Sequence, residues 1–99
     1  MTTNPSRSTV TIIGLRYGQD ARITKKCGDI VNLKFVDADQ SETVLPASDA
    51  VFVLTRFIEH RWTNAAHRYF PRNRVHLHAG GISSLVRRIR ALSEEEMRV

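Results

Sequence analysis

The sequence predicts an α+β domain: an antiparallel three- to four-stranded β-meander, a long helix, a short strand and a second helix, with both helices on one sheet face. Three observations lead there. β-Branched, alternating runs crowd the first half at spacings that leave room only for hairpins. A stripe of apolar residues at helical spacing runs through the middle of the chain. Gly80-Gly81 then separates a short alternating run from a second helical one. With 99 residues, 41% of them hydrophobic and 25% charged, the chain has material for one ordinary globular core.

Residues 1–7 lack periodicity and contain Asn4-Pro5, so a disordered start is expected ahead of a single domain over 8–99. Ser8 to Tyr17 is rich in β-branched and aromatic residues and reads as the first strand. After the turn Gly18-Gln19-Asp20, Ala21 to Lys25 reads as a second strand, closed by Cys27-Gly28-Asp29. Ile30 to Val36 alternates, with Val31, Leu33 and Phe35 on one side, and Glu42 to Leu45 offers a fourth strand. Pro46 closes that half, and Ser48 or Asp49 can cap a helix. Val51, Leu54, Ile58, Trp62, Ala65 and Tyr69 form its apolar stripe, and Pro71 ends it. On propensity alone Val51 to Thr55 competes as a buried strand, but the stripe persists and alternation does not. Arg74 to His78 alternates as a short strand, and Ser83 to Leu92 is the second helix. Ser93 with Glu96 has the form of a capping box, so the acidic triplet is expected to begin a new turn.

Cys27 is the single cysteine, which excludes a disulfide framework. The longest apolar runs, such as Ala50 to Leu54, are too short to span a bilayer. No secretory signal is legible at the start, so a cytoplasmic protein without membrane attachment is expected.

The net charge of +5 is unevenly spread. Residues 1–55 balance six cations against six acids, whereas residues 56–90 hold eight arginines, no lysine and one acid, Glu59. Arginine's planar fork suits phosphate and carboxylate partners, although a basic surface also simply keeps a small domain soluble. The first functional expectation is therefore a small basic protein that binds nucleic acid, DNA or RNA, through an arginine-rich helical face. Its residues are Arg56, Arg61, Arg68, Arg72, Arg74, Arg87, Arg88 and Arg90, with His60, Asn64 and His67 as hydrogen-bonding neighbours. The alternative is a protein-binding inhibitor or adaptor, of a kind also found in viruses, that docks an acidic protein on the same face or on the sheet.

The strand–Gly80-Gly81–helix junction is a second constellation. Glycines before a helix let backbone N–H groups approach an anion, and Ser83 and Ser84 add hydroxyl donors. Neither Walker nor dinucleotide spacing is present there, and no βαβ unit is expected around it. His76-x-His78 and the pair His60 and His67 lack the further ligands a metal needs, so no metal and no cofactor is assigned. The histidines admit a small ribonuclease as a third reading, but no catalytic residue is assigned and the chain is read as a binder. Trp62 and Tyr69 read as core or homodimer anchors.

Overall fold

In the computed structural model, which describes residues 7–16, 18–56 and 60–97, the chain is an α/β fold whose four strands are all parallel. The expected antiparallel meander is overturned. In order, the elements are β1 (Thr9–Ile13), α1 (Gln19–Cys27), β2 (Asn32–Val36), β3 (Ala50–Leu54), α2 (His60–Tyr69), a 3-10 turn (Arg72–Arg74), β4 (Val75–His78) and α3 (Ile82–Met97). The strands lie in the order β2-β1-β3-β4, with Thr9 opposite Asn32, Val10 opposite Ala50 and Val51 opposite Val75.

The residues expected to form a second strand are the middle of α1. A strand would set Lys25 on the same face as Ile23 and Cys27. A helix buries Ile23 and Cys27 together, four residues apart, and turns Arg22, Lys25 and Lys26 to solvent. That short crossover carries the chain back to its starting edge, so β2 can lie parallel to β1.

The expected long helix over 51–69 is two elements. All five residues of β3 are buried, because this central strand is covered on both faces, and such strands read as unbroken apolar runs. Val51 and Leu54 of the apolar stripe therefore belong to a strand, while Ile58 lies outside the described residues. α2 retains Trp62, Ala65 and Ala66 as its buried side and stops before Pro71. Residues 42–45 form no strand, and Ser48 and Asp49 cap no helix. The Asp49 carboxylate instead accepts the Thr9 N–H at 2.7 Å. The Ser48 hydroxyl pairs with that of buried Thr11 and donates to the Pro46 carbonyl at 2.9 Å. α3 runs through Ser93 without the expected new turn. The expected disordered start falls, apart from Arg7, outside the described residues.

The helices do not share one face. α1 and α3 cover the side carrying Val10, Ile12, Phe52 and Leu54, where Ile23, Cys27, Leu85 and Ile89 meet them. α2 covers the other side, setting Trp62 and Ala66 on Ile13, Val51 and Val53. Chain handedness explains the split: from the central pair the chain crosses outward in opposite directions, and crossovers of one hand then lie on opposite faces.

Cys27 is fully buried beneath α3. Burial pushes its thiol above the ordinary range and Asp29 adds to that, while Arg90 and Lys26 oppose it. The unfolded chain therefore releases this proton at lower pH than the folded one, so the contribution is complete below the ordinary thiol value and lost as pH rises beyond it. Urea midpoints measured from pH 7 to 10 should fall more steeply for the natural chain than for Cys27→Val. Equal slopes would contradict this.

Candidate ligand-binding edge

In a parallel sheet wound in both directions, ligands bind outside the carboxyl ends of the strands, where neighbouring connections part to opposite sides. Here that place lies between β1 and β3. The connections reaching it are the loop after β1, the turn Thr55-Arg56 after β3, and Gly80-Gly81 after β4.

The loop after β1 is built on two glycines in the left-handed region, Gly14 at φ 100° and Gly18 at φ 84°. Arg16 and Gln19 clasp it: the Gln19 side-chain oxygen accepts the Arg16 N–H at 2.8 Å, and the Gln19 N–H returns to the Arg16 carbonyl at 3.0 Å. On one side of the loop is an open cleft of about 860 Å³ that includes Phe35, Asp37 and Asp39 at the end of β2. On its other side is a smaller cleft of about 220 Å³, bounded by Gln19, Leu54, Arg56, His78, Gly80 and Gly81.

His78 organises the smaller cleft from below. Its ring is buried, with Nδ1 3.1 Å from an Arg88 nitrogen and Nε2 3.1 Å from the Gly81 carbonyl. Arginine only donates, so Nδ1 accepts and the ring proton sits on Nε2, directed at that carbonyl. The same carbonyl accepts the first helical bond of α3, from the Leu85 N–H at 3.1 Å. The N–H groups of Ile82, Ser83 and Ser84 are thus the donors of the helix's first turn. A Cβ on Gly80 would come within 3.2 Å of the His78 ring and 3.3 Å of Ser84, whereas one on Gly81 would meet nothing within 4 Å. A side chain at position 80 would therefore have to shift the His78 ring or Ser84 by a few tenths of an ångström, whereas at Gly81 glycine keeps the helix end uncovered.

Gly80 and Gly81 therefore line the smaller cleft at the carboxyl edge with Arg56, and Ser83 and Ser84 follow in the first turn of α3, outside its lining. The junction itself opens no βαβ unit, because no described strand follows α3, although β4 closes the unit β3-α2-β4. The remaining arginines do not form one helical face. Arg61 donates to the carbonyls of Ala38 at 2.8 Å, Gln40 at 2.9 Å and Ser41 at 3.2 Å, which pins the connection from β2 to β3. Arg68, Arg72 and Arg74 are exposed near the amino edge of the sheet. His60, Asn64 and His67 are exposed on α2. Arg87 faces solvent on α3, Arg88 folds back onto β4, and Arg90 reaches the Lys26 carbonyl of α1. The sheet separates the α2 group from the α3 group.

The four histidines are likewise apart: His60 and His67 lie on α2, His76 stacks on Phe52 with ring centroids 4.9 Å apart, and His78 is locked as above. Among the described residues no three His, Cys, Asp or Glu side chains stand close enough to hold a metal ion, and no helix is long and apolar enough to cross a membrane. Sequence reasoning missed the Gly14–Gly18 loop and Asp37. The readable signal was a pair of glycines after a β-branched run, followed about 20 residues on by an acid at the end of a second strand. Comparison with protein-family models, curated proteins and solved structures finds no match to this chain.

Proposed function

We propose that this protein binds a small phosphate-bearing ligand of nucleotide type across its carboxyl edge. The supporting observation is the pair of clefts flanking the Gly14–Gly18 loop at the point where the sheet's connections part. In this reading the smaller cleft takes the phosphate. The Arg56 guanidinium, the first-turn N–H groups of α3 and the Ser83 and Ser84 hydroxyls are its donors. Across the loop, the Asp37 carboxylate suits ribose hydroxyls, and the exposed ring of Phe35 suits a base.

Calorimetric titration with ATP, AMP and inorganic phosphate tests this. Arg56→Ala should weaken all three by about tenfold or more, since hydrogen bonds to charged groups contribute about 1.5–3 kcal/mol. Gly81→Val should keep the melting temperature of the free protein and lose all three ligands. Asp37→Asn should weaken the nucleotides and leave inorganic phosphate unchanged. Absence of heat with all three ligands would dismiss the reading. Nucleic acid remains a proposed partner on a different surface.

A further inference from the structure

We propose that the groove between α1 and α3 is a docking track for the sugar–phosphate backbone of single-stranded nucleic acid. This does not depend on the ligand cleft. α1 and α3 pack side by side on one face of the sheet and enclose a groove of about 600 Å³, lined by Arg22, Lys25, Lys26, Asp29, Val86 and Arg90. Folding thereby joins cations from the charge-neutral first half of the chain to one from its arginine-rich second half.

Lys25 and Lys26, neighbours in the chain, each lie one helical turn from Arg22, about 5–6 Å away. That spacing follows successive phosphates along a strand. All three are exposed, and among the described residues none is ion-paired. Arg90 forms the opposite wall. It donates to the Lys26 carbonyl and stands 3.8 Å from the exposed Asp29 carboxylate, which fixes its guanidinium across the groove. Arg87 lies exposed on the same helix. Asp29 and, one turn beyond Arg90, Glu94 are the acids at one end, and exposed Asp20 stands in the first turn of α1 at the other.

The chemistry of the groove selects the partner. Its apolar element is the nearly buried Val86, which offers no anchor for a peptide and nothing to insert into a lipid surface. Cations on two facing walls suit an extended polyanion lying between them.

Fluorescence anisotropy with a labelled oligo-dT strand tests the proposal. Four neutralised phosphates predict that log K falls with log salt at a slope of about −3 for a single strand. Arg22→Gln with Lys25→Gln should reduce the slope by about 1.4. Arg22→Glu with Lys25→Glu should weaken binding at least about tenfold at low salt, with the circular dichroism spectrum unchanged. Arg72→Glu with Arg74→Glu, at the amino edge, should leave binding as it was. Loss through the Arg72 and Arg74 pair, or binding unaffected by the Arg22 and Lys25 pair, would overturn the proposal. So would tighter binding to phosphatidylserine vesicles than to the oligonucleotide. Retention of the strand by Arg56→Ala separates this surface from the ligand cleft.

Discussion

Trp62→Ala is expected to remove about 3–5 kcal/mol of stability, measured as the shift in urea unfolding at constant m-value. The indole is fully buried between α2 and the sheet, against Ile13, Val51 and Val53. The loss rivals the total stability of about 5–15 kcal/mol typical of a domain. Its Nε1–H also donates to the Ala38 carbonyl at 2.8 Å, on the same loop that Arg61 pins, and the Arg61 guanidinium lies 5.1 Å from the ring centroid. Trp62→Phe separates the two roles. It keeps most of the buried ring and gives up the hydrogen bond, which amounts to about 1 kcal/mol. Both variants should open the connection between β2 and β3 to limited proteolysis around residues 38–41. Unchanged stability of Trp62→Ala would mean that the core beneath α2 is not formed as described.

Arg88→Ala should cost about 2 kcal/mol, while Arg87→Ala, one residue away, should stay within about 0.5 kcal/mol of the natural chain. A single Arg88 nitrogen, Nη1, donates to the Leu77 carbonyl at 2.8 Å and meets His78 Nδ1 at 3.1 Å. Its guanidinium carbon also lies 5.4 Å from the Phe52 ring centroid. Removing it leaves a buried imidazole nitrogen without its donor. It also exposes an outward carbonyl on the edge strand, since the next carbonyl, of His78, faces β3 and accepts the Thr55 N–H at 3.1 Å. Arg88→Ala should therefore self-associate more than Arg87→Ala in sedimentation, because open strand edges invite pairing. Arg88→Lys should recover part of the loss, since one ammonium can make both contacts that Nη1 makes but cannot lay a guanidinium over Phe52. Equal behaviour of the two alanine variants would refute the assignment.

Legibility followed how many neighbours each element needed. β1, β2 and β4 lie within segments that read as strands from β-branched or alternating residues, and α3 contains the stretch that read as the second helix. α1 did not read as a helix: nine residues with two buried apolar side chains present too thin a stripe. β3 failed for the opposite reason, since an unbroken apolar run satisfies both periods and only its two-sided burial decides. At the candidate edge, Gly80, Gly81, Ser83 and Ser84 were legible from the junction chemistry. The Gly14–Gly18 loop and Asp37 were not, because their meaning depends on a parallel βαβ unit.

By itself the sequence determined where most β-forming and helical segments run, that one cysteine excludes a disulfide framework, and that positive charge gathers after residue 55. Tertiary structure decided strand direction and which face each helix covers. Those are properties of long-range pairing and crossover hand, which no local periodicity encodes. They place α2 and α3 on opposite sides of the sheet, dispersing the arginines that looked continuous along the chain. The same geometry brings α1 beside α3 and aligns the strand ends along one edge.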